Sequence, residues 1–255
     1  MNNNIIVLMN DYKEFKFNSN VIESLRFASN RWGCTFCEIT KLQEPFINEK
    51  LTISAKLLWN RLLIMENFIN YDKVLCIDTD VIINSKSPNI FEELDSDSDL
   101  AVVLDGNPGR FKNDFFIKSF VNTILNINIE VYSKNIPNFN FEEYSNKYFN
   151  GGVVLFNPKN IKENIQKFKN FILNNNEILN LLFQNGNFVD QNLPNAWFTS
   201  SPEIKIKYIK NEWNWIAPDI EQEYDMFLGP MIPWIYHFCG TNLSKERLES
   251  YDRWK

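Results

Sequence analysis

Val74-Leu75-Cys76-Ile77-Asp78-Thr79-Asp80-Val81-Ile82-Ile83 is the stretch that decides the fold. Its four leading apolar residues read as a fully buried strand of the kind found inside a parallel sheet. Two carboxylates follow, one residue apart, where that strand stops. In an open α/β sheet the carboxyl ends of the strands line the ligand crevice. Two ionised carboxylates set between apolar runs need a positive partner, because burying unpaired charge is costly. A hard divalent cation carrying phosphate oxygens suits them, since such ions take one or two carboxylates and fill their shell with phosphate and water. The alternative is that Asp78 and Asp80 cap a turn or a following helix, where Asp is common.

Upstream, Ile5 to Met9 reads as a first buried strand, stopped by Asn10-Asp11. Val21, Ile22, Leu25 and Ala28 recur at helical spacing up to Trp32, and Gly33 supplies the stop before a strand over Thr35 to Ile39. Such a β-α-β opening predicts a parallel pair joined by a right-handed crossover. Asp11 either points into the crevice of Asp78 or caps its own loop. After Pro45, with Ser54 as a cap, Leu57, Leu58, Leu62, Met65 and Phe68 mark a helix face, and Arg61 lies within it.

Downstream come a short helix from Pro88 through Leu94 and a strand from Leu100 to Leu104 that ends in Asp105-Gly106. A second strand thus delivers a carboxylate to the same sheet edge, which strengthens the case for a site. Residues 106–147 read as an insertion over the crevice, an acceptor-binding region or lid. Phe149-Asn150-Gly151-Gly152 leads into a strand over Val153 to Phe156; the paired glycines allow either a close backbone approach to a ligand or a plain turn. Helical segments run from Asn160 to about Gln184, followed by Asp190-Gln191-Asn192 between apolar neighbours. Ile204 to Ile209 alternates like an edge strand. Trp213-Asn214-Trp215 forms an aromatic loop, and His237 directly follows a short apolar strand. The expected architecture is one α/β domain over residues 1–255. It has a mainly parallel sheet with helices on both faces and a helical, aromatic closing segment at 211–255.

Composition sets the limits. The chain of 255 residues is 44% hydrophobic and 15% aromatic, ample for a core, with net charge −6. At a pI near 5.0 and with no cluster of Lys and Arg, it lacks the basic stripe of a nucleic-acid binder. No run approaches the roughly 18 apolar residues of a membrane helix, and the polar start lacks a signal peptide's pattern, so a soluble, cytoplasmic or host-cytoplasmic protein is expected. The four cysteines are too scattered for a disulfide framework, and the lone Cys34-Thr35-Phe36-Cys37 has no second pair or His cluster to make a zinc site. Both read as small core residues in or beside a strand.

Taken together and in order, these motifs resemble the family 8 glycosyltransferases, the glycogenin-like and bacterial galactosyltransferase-like enzymes of the GT-A fold. Asp78-Thr79-Asp80 is similar to the family's metal-binding DxD, and Arg61 stands where the family carries a basic donor contact. Asp105 falls at the donor-sugar carboxylate. Phe149 to Asn157 is similar to "FNAGVLLIN", Asp190 to Leu193 to "DQDxLN", Trp213-Asn214 to "WN", and His237-Phe238-Cys239-Gly240 to the closing "HFxG".

The resemblance implies a Mn²⁺-dependent, retaining transfer of a hexose from a UDP-sugar, glucose or galactose by family habit, with Mg²⁺ as the other candidate ion. It implies Asp78, Asp80 and His237 as metal ligands. Donor contacts would come from Asp11, Arg61, Asp78, Thr79, Asp80, Asp105, Asn150, Gly151, Gly152, Gly240 and Lys245, and the catalytic positions are Asp190 and Gln191. The acceptor is open among glycan, protein and lipid-linked molecules, and a homodimer is compatible with it. Departures are visible. Leu243 stands where the family has a closing lysine, leaving Lys245 for that part; the first strand lacks the usual Tyr-containing loop; and Asn192 replaces a common Asp.

Two rivals share some of these features. A haloacid-dehalogenase-like phosphatase also begins from a strand followed by DxD, its first Asp a phosphorylated nucleophile. That motif usually opens the chain, whereas here a β-α-β unit precedes it. The other rival is a nucleotide-sugar-binding protein without turnover.

Overall fold

The computed structural model describes residues 3–9, 19–40, 64–105, 129–175, 189–216 and 233–238. The main sheet holds β1 (Asn4–Met9), β2 (Thr35–Ile39), β3 (Lys73–Ile77), β5 (Leu100–Leu104), β6 (Phe149–Phe156) and β7 (Ile206–Tyr208), in the order β2-β1-β3-β6-β5-β7. Parallel pairing joins β1 to β2 and β3, and β5 to β7. Only β6 runs against its neighbours β3 and β5. The sheet is therefore mainly parallel, and the reversed strand brings its own start to the edge where β3 and β5 end.

Strand alternation divides the core in two, because successive side chains point to opposite faces. Ile5, Val7, Val74, Cys76, Leu100, Val102, Val154 and Phe156 face one way. They pack against α2 (Ile129–Asn135), α3 (Phe141–Asn146), α4 (Pro158–Asn174) and α5 (Val189–Ser200). Ile6, Leu8, Leu75, Ile77, Ala101, Val103, Val153 and Leu155 face the other way, against α1 (Ser19–Trp32) and a small second sheet. Helices thus cover both faces, as the sequence predicts. Burying the apolar stripe of α1, namely Val21, Ile22, Leu25 and Ala28, stabilises by about 1.5–3 kcal/mol for each large side chain.

Helix ends follow their local chemistry. Gly33 takes φ +64°, and the bonds Cys34 N–H to Ser29 O (3.0 Å) and Gly33 N–H to Asn30 O (3.4 Å) close α1 in a Schellman motif. Asn157 caps α4 by accepting from the Asn160 N–H, with Pro158 at the first turn. Of the helix expected after Ser54, the described part is a 3-10 segment at Ile64–Phe68, and the Pro88–Leu94 helix is likewise a single 3-10 segment, Ile90–Glu93.

Two expectations need correction. The paired glycines do not precede a strand; they lie inside β6, which starts at Phe149 because its first residues pair beyond a register shift in β5 and dock on α5. The C-terminal segment is also not helical in its described part. Beyond the 3-10 segment Asn211–Asn214, it forms β8 (Trp215–Ile216) and β9 (Ile235–His237), which join β4 (Val81–Ile83) in the order β4-β9-β8. Strands of two or three residues carry no period from which to read them. Within 106–147, residues 106–128 lie outside the described residues, while Tyr132, Ile136 and Tyr144 of the remainder are buried in the main core.

Cys37 lies in β2 and packs against one core cluster, whereas Cys34 precedes the strand and packs against the other. Among the described residues neither belongs to a metal-ligand cluster. Burial pushes the Cys34 thiol up to about 11, against a smaller opposing backbone hydrogen bond, so it is an inert thiol.

Candidate active site

Asp78 and Asp80 straddle the two sheets. The Asp78 N–H donates to Gly152 O (2.9 Å), continuing the β3–β6 ladder, while Phe238 N–H donates to Asp80 O (2.9 Å), continuing β4–β9. Of the three residues between β3 and β4, Thr79 alone lies between these two backbone hydrogen bonds, and the backbone thus fixes both carboxylates at the common edge of the sheets. His237, the last residue of β9 and 3% exposed, turns its ring into the same place. Its Nε2 stands 3.3 Å from Asp80 Oδ1 and 3.7 Å from Asp78 Oδ2.

Gly152 makes this convergence sterically possible. A Cβ there would meet His237 Cε1 at 2.2 Å and Nδ1 at 2.6 Å. The imidazole lies on the bare backbone of β6. The sequence alone offered a ligand approach or a turn for this glycine; the structure supplies a direct reason in the ring packed on it.

Around the ring runs a chain of buried amides. Asn214 Oδ1 lies 3.0 Å from His237 Nδ1, and Asn214 Nδ2 donates to Asn150 Oδ1 (2.8 Å). That oxygen also accepts from the Gly152 N–H (2.8 Å). Trp213, fully buried and packed on Trp234 with ring centroids 4.6 Å apart, anchors the 3-10 turn that presents Asn214.

A second group joins β5, β6 and α5. Gln191 Nε2 donates to Asp105 Oδ2 (3.0 Å) and to Tyr148 Oη (2.8 Å), while its Oε1 accepts from the Gly151 N–H (3.2 Å). Asn195, one turn further along α5, accepts from the Phe149 N–H (2.8 Å) and donates to Phe149 O (2.9 Å) and Gln191 O (3.0 Å). Neither Asn195 nor Tyr148 was singled out from the sequence, and a strand–helix clamp of this type leaves no local pattern to find. Asn195→Ala should lower unfolding stability by about 2–3 kcal/mol, because it strands a buried backbone N–H. A urea titration with unchanged slope checks this; a midpoint equal to that of the wild type would dismiss the clamp.

Of the remaining sequence-derived positions, Asp11, Arg61, Gly240 and Lys245 lie outside the described residues, as does the side chain of Asp190. Asp78, Thr79, Asp80, His237, Asn150, Gly151, Gly152, Asp105 and Gln191 gather at one sheet edge.

The donor set fits a divalent cation. One ligand atom each from Asp78, Asp80 and His237 lies within 4.8 Å of the others. With His237 Nε2 at 3.3 Å from Asp80 and 3.7 Å from Asp78, all three residues would be within reach of one such ion. A single imidazole with two carboxylates is also a ligand set that divalent first-row metals accept.

A family profile described as "Glycosyl transferase family 8" matches residues 8–243. The chain belongs to glycosyl transferase family 8. Similar solved structures include a glycosyltransferase involved in glycosylation of the major capsid of PBCV-1 (16% identity, TM-score 0.60, covering 98% of this chain and 100% of that one). Another is the glycosyltransferase GlyE of Streptococcus pneumoniae TIGR4 (16% identity, TM-score 0.53, covering 94% of this chain and 56% of that one). At these identities the likeness shows the GT-A fold alone. No curated protein matches the chain.

Nothing observed supports the phosphatase alternative: in this family 8 chain the strand bearing Asp78 is the third of the sheet and the match spans nearly the whole sequence. Among the described residues no helix is long and apolar enough to cross a membrane.

Electrostatics bind the cluster together. Burial disfavours the His237 imidazolium, but the charge and hydrogen bond of Asp80, then Asp78 and Asp105, together raise its pKa above the usual value. At this side chain the folded protein therefore keeps its proton to higher pH than the unfolded chain. Stability from this group is present in full below the unfolded value of about 6.5 and is lost as pH rises through the higher folded value. Urea midpoints in chelator across that window should fall with pH in the wild type and lose this component in His237→Gln. A contribution from the sole histidine that grew with pH would contradict the arrangement.

Proposed function

We propose that this family 8 member is a metal-dependent, retaining glycosyltransferase that moves a hexose from a UDP-sugar, UDP-glucose or UDP-galactose, to an acceptor. The observation that carries the reading is the meeting of Asp78, Asp80 and His237 at the edge where β3 and β5 end. These three residues hold the cation, and the imidazole among oxygen ligands favours Mn²⁺ over Mg²⁺. A divalent ion bound there supplies Lewis-acid stabilisation of the charge on the departing diphosphate.

The chain's own groups do the rest. Thr79, Gly151 and Gly152 offer backbone close to the donor, and Arg61 and Lys245 supply positive contacts to its diphosphate. Asp11 serves the uracil end and Gly240 the closing loop. Asp105 binds a sugar hydroxyl as an acceptor, held in orientation by Gln191 Nε2. Asn150 faces the sugar with its amide nitrogen, its oxygen being engaged by Gly152 and Asn214. Asp190 and Gln191, adjacent on α5, take the catalytic positions at the anomeric face.

A donor screen tests the reading. UDP release is measured across UDP-sugars with Mn²⁺, and one UDP-hexose should be consumed at a rate that chelation abolishes. Binding of UDP and Mn²⁺ with no release from any donor would favour a binding protein without turnover. Phosphate release from phosphomonoesters alone would overturn the proposal.

A further inference from the structure

The sole histidine could offer either ring nitrogen to a cation, and the hydrogen bonds behind it decide which. Amide orientations are normally open to exchange of O and N, but one fixed donor removes that freedom here. The backbone N–H of Gly152 can only donate, and it points at the Asn150 side chain from 2.8 Å. The receiving atom is therefore the Asn150 carbonyl oxygen. An amide oxygen cannot donate, so the Asn214 atom 2.8 Å from it is the nitrogen Nδ2. The other end of Asn214 is then an acceptor, and it stands 3.0 Å from His237 Nδ1. Nδ1 must bring the proton. A neutral imidazole protonated at Nδ1 has its lone pair on Nε2, the atom that faces Asp80 and Asp78.

We infer that Asn214 is a positioning residue: backed by Asn150, it locks His237 in the Nδ1–H tautomer and aims the Nε2 lone pair at the cation. Asn150, Asn214 and His237 are 7%, 2% and 3% exposed, so their polar atoms depend on protein partners. Gly152 holds the ring from the other side, and a ring so packed has little room to rotate away. Histidines on metal ions almost always donate the second N–H to a carbonyl or carboxylate, and such partners set metal affinity by about 10–100-fold. Here a side-chain amide does this, and it links His237 of β9 to Asn150 of β6 through one further hydrogen bond.

The inference rests on the reading of Asp78, Asp80 and His237 as a metal site, and its test separates the two. Because the chain contains one histidine, ¹⁵N-histidine labelling gives one imidazole spin system, whose two ring nitrogens report the tautomer directly. In metal-free protein at alkaline pH, where the ring is neutral, the proton is expected on Nδ1. A proton on Nε2 in the wild type overturns the inference without any variant. Asn214→Leu should redistribute the tautomers and weaken Mn²⁺ binding by about tenfold or more. Asn214→Asp keeps an acceptor at Nδ1 and should retain the tautomer, while its second oxygen, facing Asn150 Oδ1, forfeits the backing hydrogen bond and lowers the affinity in part. Unchanged tautomer and affinity in Asn214→Leu would refute the role. A wild type with the Nδ1–H tautomer but no Mn²⁺ affinity would leave Asn214 orienting the ring and defeat the metal reading instead.

Discussion

Gly152→Ala should weaken Mn²⁺ binding by about 100-fold and reduce donor turnover in step. The added methyl would lie 2.2 Å from His237 Cε1, far inside any tolerated contact, and the ring, 3% exposed, is hemmed in by β6, Asn214 and the two aspartates. The backbone of β6 cannot retreat, since Gly152 O receives the Asp78 N–H and Gly152 N–H is held by Asn150. The ring must move instead. Leaving its place breaks the Asn214 hydrogen bond and takes Nε2 off the carboxylates, so one substitution removes both a ligand and its support; losing the support alone costs about 10–100-fold. Overpacking should add about 1–3 kcal/mol of destabilisation. Isothermal titration with Mn²⁺ alongside urea unfolding separates the two effects, and a variant that binds Mn²⁺ like the wild type would show that the ring is not needed where it lies.

Asp80→Ala should reduce Mn²⁺-dependent UDP release by at least about 100-fold, the scale of losing one group that stabilises charge developing on the leaving group. The carboxylate is the closer of the two to His237 Nε2, at 3.3 Å. Its removal also withdraws the largest influence raising the imidazole pKa, so the histidine becomes easier to deprotonate. The fold should survive. The side chain is 33% exposed, and the Asp80 carbonyl still receives the Phe238 N–H and keeps the two sheets joined. Steady-state UDP release with a circular dichroism control measures this, and equal Mn²⁺-dependent rates in both proteins would remove Asp80 from the mechanism.

Most of what positions the site was legible because it depends on local pattern. The apolar runs before Asp78 and before Asp105, and the helix stop at Gly33, each carry their own signal, and the structure has each where its pattern puts it. What stayed hidden depends on residues far apart in the chain. Asn214 meets Asn150 across 64 residues, and Asn195 meets Phe149 across 46. No periodicity announces either contact. The reversal of β6 was invisible for a related reason: buried strands read alike in both directions, so only the observed pairing shows that Asn150 to Gly152 arrive at the site from inside a strand. For Gly152 the sequence left a ligand approach and a plain turn both open, and the group packed on it in this structure is the ring of His237.

The most direct measurement uses the chain's single histidine again. Pulsed electron paramagnetic resonance of Mn²⁺ bound to protein carrying ¹⁴N- or ¹⁵N-histidine should show hyperfine coupling to one imidazole nitrogen that changes with the isotope. Bound Mn²⁺ whose spectrum is indifferent to the label, with water-proton couplings only, would place the ion away from His237 and contradict this site.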